Sequence, residues 1–376
     1  MKRLILRTSA AAVIAVGCVV IGCTPTLALA NGRSRSARTG QLARPMLATF
    51  APASHTRIYW GASIGSQYTG TSAPWDMTAV TDFERITHKA PSIVSFYSSF
   101  ASCAATCQGV PFPGDLFSAI RSRGAIPMLS WGSDAEQSPS FDADFTLSDI
   151  AAGRWDSYLR AFATAARRWG HPFFLRLDWE MNGNWFPWGG LVNGNSPAEF
   201  VAAWRHIHNV FSAAGAHNVT WVWCPNISSD AGLRGEYPGS QYVDWTCLDG
   251  YNWGNALPKN VAGGWQSFTQ LYQSSYRQLL ALAPSKPIMV GEFASTADGG
   301  SKTDWLRNAL SVVPRRFKRI RALVYFDRYG SGMDWPLLPN TSAAQAFAGG
   351  IAAPVYATNS FRHLSQAPIP VPGSDG

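Results

Sequence analysis

The first 54 residues contain no aspartate and no glutamate, and that gap decides how the charge of the whole chain is read. The sequence has 376 residues and a formal charge of +8, a balance that invites a nucleic-acid reading. Seven basic residues (Lys2, Arg3, Arg7, Arg33, Arg35, Arg38, Arg44) fall in the acid-free stretch, which leaves 24 basic and 23 acidic residues in 55–376. That remainder is almost neutral and has no long basic run to follow a phosphate backbone, so nucleic acid is not expected as a partner. The six cysteines include no Cys-x-x-Cys pair, and His206 and His208 are two apart on an expected helix, hence on different faces. Neither pattern suits a metal, and no cofactor is expected. No Gly-x-Gly-x-x-Gly follows the first apolar run, which removes the usual nucleotide-binding version of an open α/β sheet. No internal repeat is present.

What is present begins with an export signal. Met1 to Arg7 is basic, and Ser9 to Gly22 is apolar but short for a bilayer span. Ala28-Leu29-Ala30 suits cleavage of a signal peptide covering residues 1–30. Val20-Ile21-Gly22-Cys23 instead resembles a bacterial lipoprotein box, which would leave a lipid on Cys23 as a membrane anchor. Secretion is the expectation and anchoring through Cys23 the alternative. Residues 31–54 lack apolar periodicity and read as a flexible basic leader. Export implies an oxidising setting, where Cys103 and Cys107 can close a small loop and Cys224 and Cys247 can bridge neighbouring strands.

After the leader, short apolar runs alternate with amphipathic stretches. Expected strands start at Ile58, Ser92, Ala125, Phe173, Val219, Cys247, Pro287 and Ala322. Expected helices lie near 77–88, 114–123, 154–169, 197–215, 265–282, 302–313 and 343–348, with Ser196 as the N-cap of the fourth. Eight buried parallel strands with intervening helices make an α/β fold, a (β/α)8 TIM barrel over residues 55–364, with a doubly wound sheet as the main rival. Residues 365–376 read as a disordered tail. A monomer is expected.

Chemistry in such a barrel sits where the strands end. The fourth strand ends in R-L-D-W-E and carries Glu180; the seventh, P-I-M-V-G-E-F, carries Glu292. Glutamate forms strands poorly and is costly to bury, so two at strand ends need a reason. The plain alternative is a pair of salt bridges across the barrel mouth. Beside the turn that holds Trp185 and Trp188, in a chain with sixteen tryptophans, a catalytic carboxyl pair on sugar is the stronger reading. A retaining glycosidase sets two such groups about 5–5.5 Å apart.

The run R-L-D-W-E-M-N-G-N-W-F-P-W-G resembles the acid/base signature of glycoside hydrolase family 26, the β-mannanase family. G-A-I-P-M-L-S-W, W-V-W-C-P-N, D-G-Y-N-W and P-I-M-V-G-E-F extend the resemblance over nearly the whole exported domain. It implies a (β/α)8 barrel and a retaining double displacement, with Glu180 as acid/base, Glu292 as nucleophile and Tyr251 bonded to the nucleophile. Trp131, Trp179, Trp185, Trp188 and Trp253 are candidates for stacking on sugar, with packing under the loops as an equal alternative for each. Arg176 and Asp178 are expected as a buried supporting pair, and Asn226 as a further supporting residue. One departure is clear: family mannanases carry His immediately before the acid/base, where this chain has Trp179. The expected activity is endo-hydrolysis of a β-linked polysaccharide, β-1,4-mannan first. β-1,3-xylan, mixed-linkage glucan or a bacterial exopolysaccharide are alternatives, and a catalytically silent binding barrel is the alternative of another class.

Overall fold

The computed structural model describes residues 57–103, 107–136, 145–190, 192–227 and 232–373. The expected signal peptide, Cys23 and the basic leader lie outside the described residues.

Eight parallel strands close into a barrel: β1 (Tyr59–Ile64), β2 (Ile93–Cys103), β4 (Ile126–Glu136), β5 (Phe173–Leu177), β6 (Val219–Trp223), β7 (Trp245–Asn252), β8 (Ile288–Ser295) and β9 (Ile320–Asp327). Closure comes from β1, which pairs with β9 on one side and β2 on the other. A short strand, β3 (Cys107–Gly109), folds back antiparallel on the end of β2, and the Cys103–Cys107 disulfide joins the two. The strands are apolar on both faces because one face fills the barrel and the other meets helices. The closed order excludes the doubly wound alternative.

The helical layer consists of α1 (Thr78–Thr87), α2 (Gly114–Ser122), α3 (Leu147–Ala151), α4 (Asp156–Trp169), α5 (Pro197–Ala213), α6 (Lys259–Ala262), α7 (Phe268–Leu282), α8 (Lys302–Arg316) and α9 (Ser342–Ile351). In α4 the helical spacing of Leu159, Phe162, Ala163 and Ala166 puts all four on the buried face. Ser196 caps α5 as the sequence suggests: its Oγ accepts from Glu199 N at 3.3 Å, and Glu199 Oε2 accepts from Ser196 N at 2.7 Å. Such reciprocal caps are worth about 1 kcal/mol and fix where the helix starts.

Two expectations need correction. Residues 365–373 are not a loose tail. Ile369 is buried; its N–H donates to Thr220 Oγ1 at 2.8 Å, and its carbonyl accepts from Trp245 Nε1 at 2.9 Å. Tyr59 OH donates to Pro370 O at 3.1 Å. Tyr59 and Trp245 begin β1 and β7, so the tail closes the N-terminal end of the barrel with one apolar side chain and two satisfied backbone groups. The second correction concerns the glutamate strands. β5 stops at Leu177, three residues before Glu180, whereas β8 runs on to Ser295, three residues past Glu292. The β7–β8 and β8–β9 registers both shift beside Glu292, so a local irregularity presents this side chain.

Candidate active site

Past Leu177 the backbone turns sharply. Asp178 and Glu180 have φ of 40° and 54°, a left-handed conformation that costs a non-glycine residue about 1–3 kcal/mol. The surroundings hold it in place. Asp178 N donates to Trp131 O at 3.0 Å and Glu180 N to Cys224 O at 2.7 Å. The Asp178 carboxylate accepts from Ser133 N at 2.7 Å and Ser133 Oγ at 2.9 Å, tying the turn to β4. Burial pushes the Asp178 carboxyl up to about 7, against the pull of those two donors. On the far side of the turn, Trp188 Nε1 donates to Trp179 O at 2.7 Å. Gly183 allows the turn to fold so closely, because a Cβ there would lie 2.4 Å from the Trp185 ring.

The turn delivers Glu180 to the C-terminal mouth, nearly buried. Asn226 Nδ2 donates to its Oε1 and Trp185 Nε1 to its Oε2, both at 2.6 Å. Asn226 is itself held by Asn182, whose Oδ1 accepts from Asn226 N at 2.8 Å and whose Nδ2 donates to Asn226 O at 2.9 Å. Burial raises the Glu180 carboxyl to about 7, and the charge of Glu292 adds to this; the bonds from Asn226 and Trp185, then Arg176, oppose it. Glu180 is thus a carboxyl group that can carry a proton near neutrality.

Glu292 has the opposite surroundings. Arg176 pairs with its Oε1, Tyr97 OH donates to the same oxygen at 2.8 Å, and Tyr251 OH donates to Oε2. Burial, and then the charge of Glu292, holds both phenols well above their ordinary range, so they remain donors. Arg176 also pairs with Asp249, which faces Glu292 across the β7–β8 register. Oxygens of Glu180, Asp249 and Glu292 lie within 4.8 Å of one another. Each of the three is engaged: Glu180 by Asn226 and Trp185, Asp249 by Arg176, and Glu292 by Arg176, Tyr97 and Tyr251.

The expected Arg176–Asp178 pair does not form. Residues two apart share a face only while the strand lasts, and β5 ends between them. Arg176 therefore points into the barrel toward Asp249 and Glu292, while Asp178 turns to Ser133.

The tryptophans divide. Trp185, 50% exposed, and the half-buried Trp253 line a cleft of about 1070 Å³ over the carboxyl pair, together with Trp179. Trp131 and Trp188 do not reach it. Trp131 is fully buried between β4 and α4, stacked on Phe162 with centroids 4.2 Å apart. Trp188 is buried against Phe186 at 4.6 Å, and a Cβ on Gly132 would press on its ring. Both pack beneath the site. Trp179 sits between Tyr97 and the Phe186–Trp188 pair, with the Arg176 guanidinium 5.1 Å from its ring.

Residues of the site that the sequence reading missed include Tyr97, Asp249, Phe326, Arg328 and Trp335. Asp249 carried a signal, an acid inside the apolar run C-L-D-G-Y. Tyr97 ended an expected strand, which for a tyrosine is unremarkable. Nothing local marked the other three, which the end of β9 and the chain after it bring in.

Residues 123–299 match the model of glycosyl hydrolase family 26. Endoglucanase H of Acetivibrio thermocellus is 33% identical over 240 residues, 62% of this chain but 25% of that protein, so the chain spans about a quarter of that relative. A mannan endo-1,4-beta-mannosidase of Bacillus subtilis is 30% identical over 163 residues, 41% of this chain and 40% of that one. Among solved structures, the catalytic domain of a Bacillus sp. JAMB-750 endo-beta-1,4-mannanase superposes with a TM-score of 0.63 at 18% identity, over 82% of this chain and 89% of that domain. At that identity the likeness speaks for the fold, which is the same barrel. The segment that carries both glutamates, residues 123–299, matches glycosyl hydrolase family 26, and the relatives and solved structures agree with that family.

Proposed function

We propose that this protein is a retaining endo-β-glycanase that cuts a β-linked polysaccharide by double displacement. The observation that carries the reading is the asymmetric carboxyl pair: Glu180 raised to about 7, and Glu292 in an ion pair with Arg176 and bonded to Tyr97 and Tyr251. Their oxygens approach within 4.8 Å, the close spacing that direct attack needs. Glu292 attacks the anomeric carbon while Glu180 gives its proton to the departing glycosidic oxygen. The glycosyl bond to Glu292 cancels that charge, which removes one cause of the raised Glu180 carboxyl. Glu180, now ionised, takes a proton from water, and the hydroxide oxygen displaces Glu292. Trp185 and Trp253 offer faces for the sugar rings.

β-1,4-Mannan is the first substrate reading, supported by the mannan endo-1,4-beta-mannosidases among the relatives, which also support endo action. A β-glucan is the second. It is favoured by the 240-residue match to Endoglucanase H, while Trp179, whose indole lies beside Tyr97, departs from the mannanase pattern the resemblance implies. Export, by the basic-then-apolar N-terminus, would place the activity outside the cell, either free or anchored through Cys23.

Digestion of mannan, mixed-linkage glucan and β-1,3-xylan, followed by proton NMR and sizing of the products, tests the proposal. The β-anomer is expected first, with products of mixed length. Initial α-anomer would overturn retention, and no release from any β-glycan would leave the silent barrel.

A further inference from the structure

The cleft has a charge that the hydrolytic machinery does not use. Arg328 follows directly on β9, is partly exposed and lines the cleft. Its Cζ lies 4.9 Å from the centroid of the Tyr97 ring, the same Tyr97 whose hydroxyl holds Glu292. Its polar contact is Ser63 Oγ, 3.5 Å from Nη1, and among the described residues no carboxylate pairs with it. Arg176, by contrast, is buried with two carboxylates against it. Arg328 is therefore a guanidinium set over an aromatic ring at the cleft wall, with no carboxylate of the described residues paired to it. Lys259, which forms no ion pair among the described residues, lines the same cleft. Among the described lining residues, the sole carboxylates are Glu180 and Glu292, and the second of these is already paired with Arg176.

A cleft built for a wholly neutral glycan has no need of two unmatched cations, since hydroxyls are served as well by amides and water. A planar guanidinium has its strongest partner in a carboxylate, which it grips through two parallel bonds. Stacking on Tyr97 holds the fork in place and reduces the entropy lost on binding.

We infer that the cleft takes a carboxylate carried by the glycan, held on Arg328 in the same cleft as the carboxyl pair. The preferred substrate is then an acidic β-glycan, bearing uronic acid residues or carboxylate substituents on a β-linked backbone. This rests on the glycanase reading and narrows its substrate class.

The test uses matched polymers: a soluble β-mannan and a mixed-linkage β-glucan, each neutral and partly oxidised at C6 to the uronate. A third pair bears a carboxyethylidene ketal before and after mild acid removal, and separates a substituent from a backbone uronate. The wild-type protein is expected to show a lower KM on the acidic member of at least one pair, with the advantage fading as salt is raised. Arg328→Gln should reduce the neutral-to-acidic KM ratio by about 10- to 100-fold, the size of a charge-assisted bidentate contact, and Arg328→Lys should restore part of it. The ratio is taken within one variant, so any general loss of folding or turnover cancels. A wild-type ratio near one for all pairs, or a ratio unmoved by Arg328→Gln, overturns the inference. If no polymer is cut, the glycanase reading falls instead. Calorimetric titration of the intact protein with the same matched glycans then decides the Arg328 preference, equal affinity for neutral and acidic chains overturning it.

Discussion

Trp185 Nε1 donates to Glu180 Oε2 across 2.6 Å while half of the indole surface stays open to the cleft. One side chain thus presents an open indole face to the cleft and holds an oxygen of Glu180, the proton donor in the proposed mechanism. Asn226 holds the other oxygen, and both bonds favour the charged carboxylate against burial and the charge of Glu292. The first step needs Glu180 protonated, so kcat/KM should fall as pH rises through about 7. Trp185→Phe and Asn226→Ala each remove a donor to the charged form, which raises the Glu180 carboxyl further. Both should shift the alkaline limb upward, Asn226→Ala by more because its bond opposes the rise more strongly. pH–rate profiles of the two variants check this; a limb that moves down would show that these bonds do not tune the acid.

The roles of the two glutamates separate by leaving group. Glu292→Ala removes the attacking oxygen, so hydrolysis of polysaccharide and of activated aryl glycoside should be lost together. Glu180→Ala should lose polysaccharide hydrolysis by about 10²–10⁴-fold while sparing glycosylation by an aryl glycoside, whose leaving group needs little proton donation. Parallel kinetics on both substrates decide it, and equal losses for Glu180→Ala would void the assignment.

Arg176 stands between two buried carboxylates, and its removal should be felt first as instability. Arg176→Met leaves Asp249 and Glu292 uncompensated, at a cost of about 3–5 kcal/mol. Adding Asp249→Asn removes one of the stranded charges and should recover part of the loss. Thermal melts of the single and double variants measure this; a double variant less stable than Arg176→Met would contradict the pairing.

Trp131 and Trp253 look alike as sequence candidates and should behave in opposite ways. Trp131→Ala opens a cavity between β4 and α4 and should cost about 3–5 kcal/mol of stability, with KM little changed in the folded fraction. Trp253→Ala should raise KM while the melting temperature moves little, since the ring lines the cleft. Melts and Michaelis curves for both variants test the division.

That contrast shows where sequence reading reaches. The barrel was legible because buried parallel strands and amphipathic helices write different periods, and the Glu180–Glu292 pair because an acid in an apolar run is costly. A tryptophan is ambiguous, because an indole fits a core and a sugar cleft equally well and only its side of the strand decides. Arg176 and Asp178 were misjudged for a related reason: the left-handed turn after Leu177 breaks the alternation that would have put them on one face. Arg328 and Trp335 had no local mark, since their place beside Tyr97 and Tyr251 comes from closure of β9 onto β1.

The tail offers a last test, independent of chemistry. Pro-rich composition suggested disorder, but alternating prolines also hold a chain extended at little entropic cost, as a strap across the barrel floor needs. Removing residues 365–376 exposes Tyr59 and Trp245 and leaves Trp245 Nε1 and Thr220 Oγ1 without their partners in the tail. The truncated protein should lose about 2–4 kcal/mol, from one buried isoleucine and the bonds around it. Ile369→Ala alone should lose about half of that, because it keeps the backbone bonds. KM should be unchanged in both, the strap lying at the end of the barrel opposite the cleft. Denaturant melts alongside substrate kinetics measure the effect, and a truncation that leaves the melt unmoved would return these residues to the status of a loose tail.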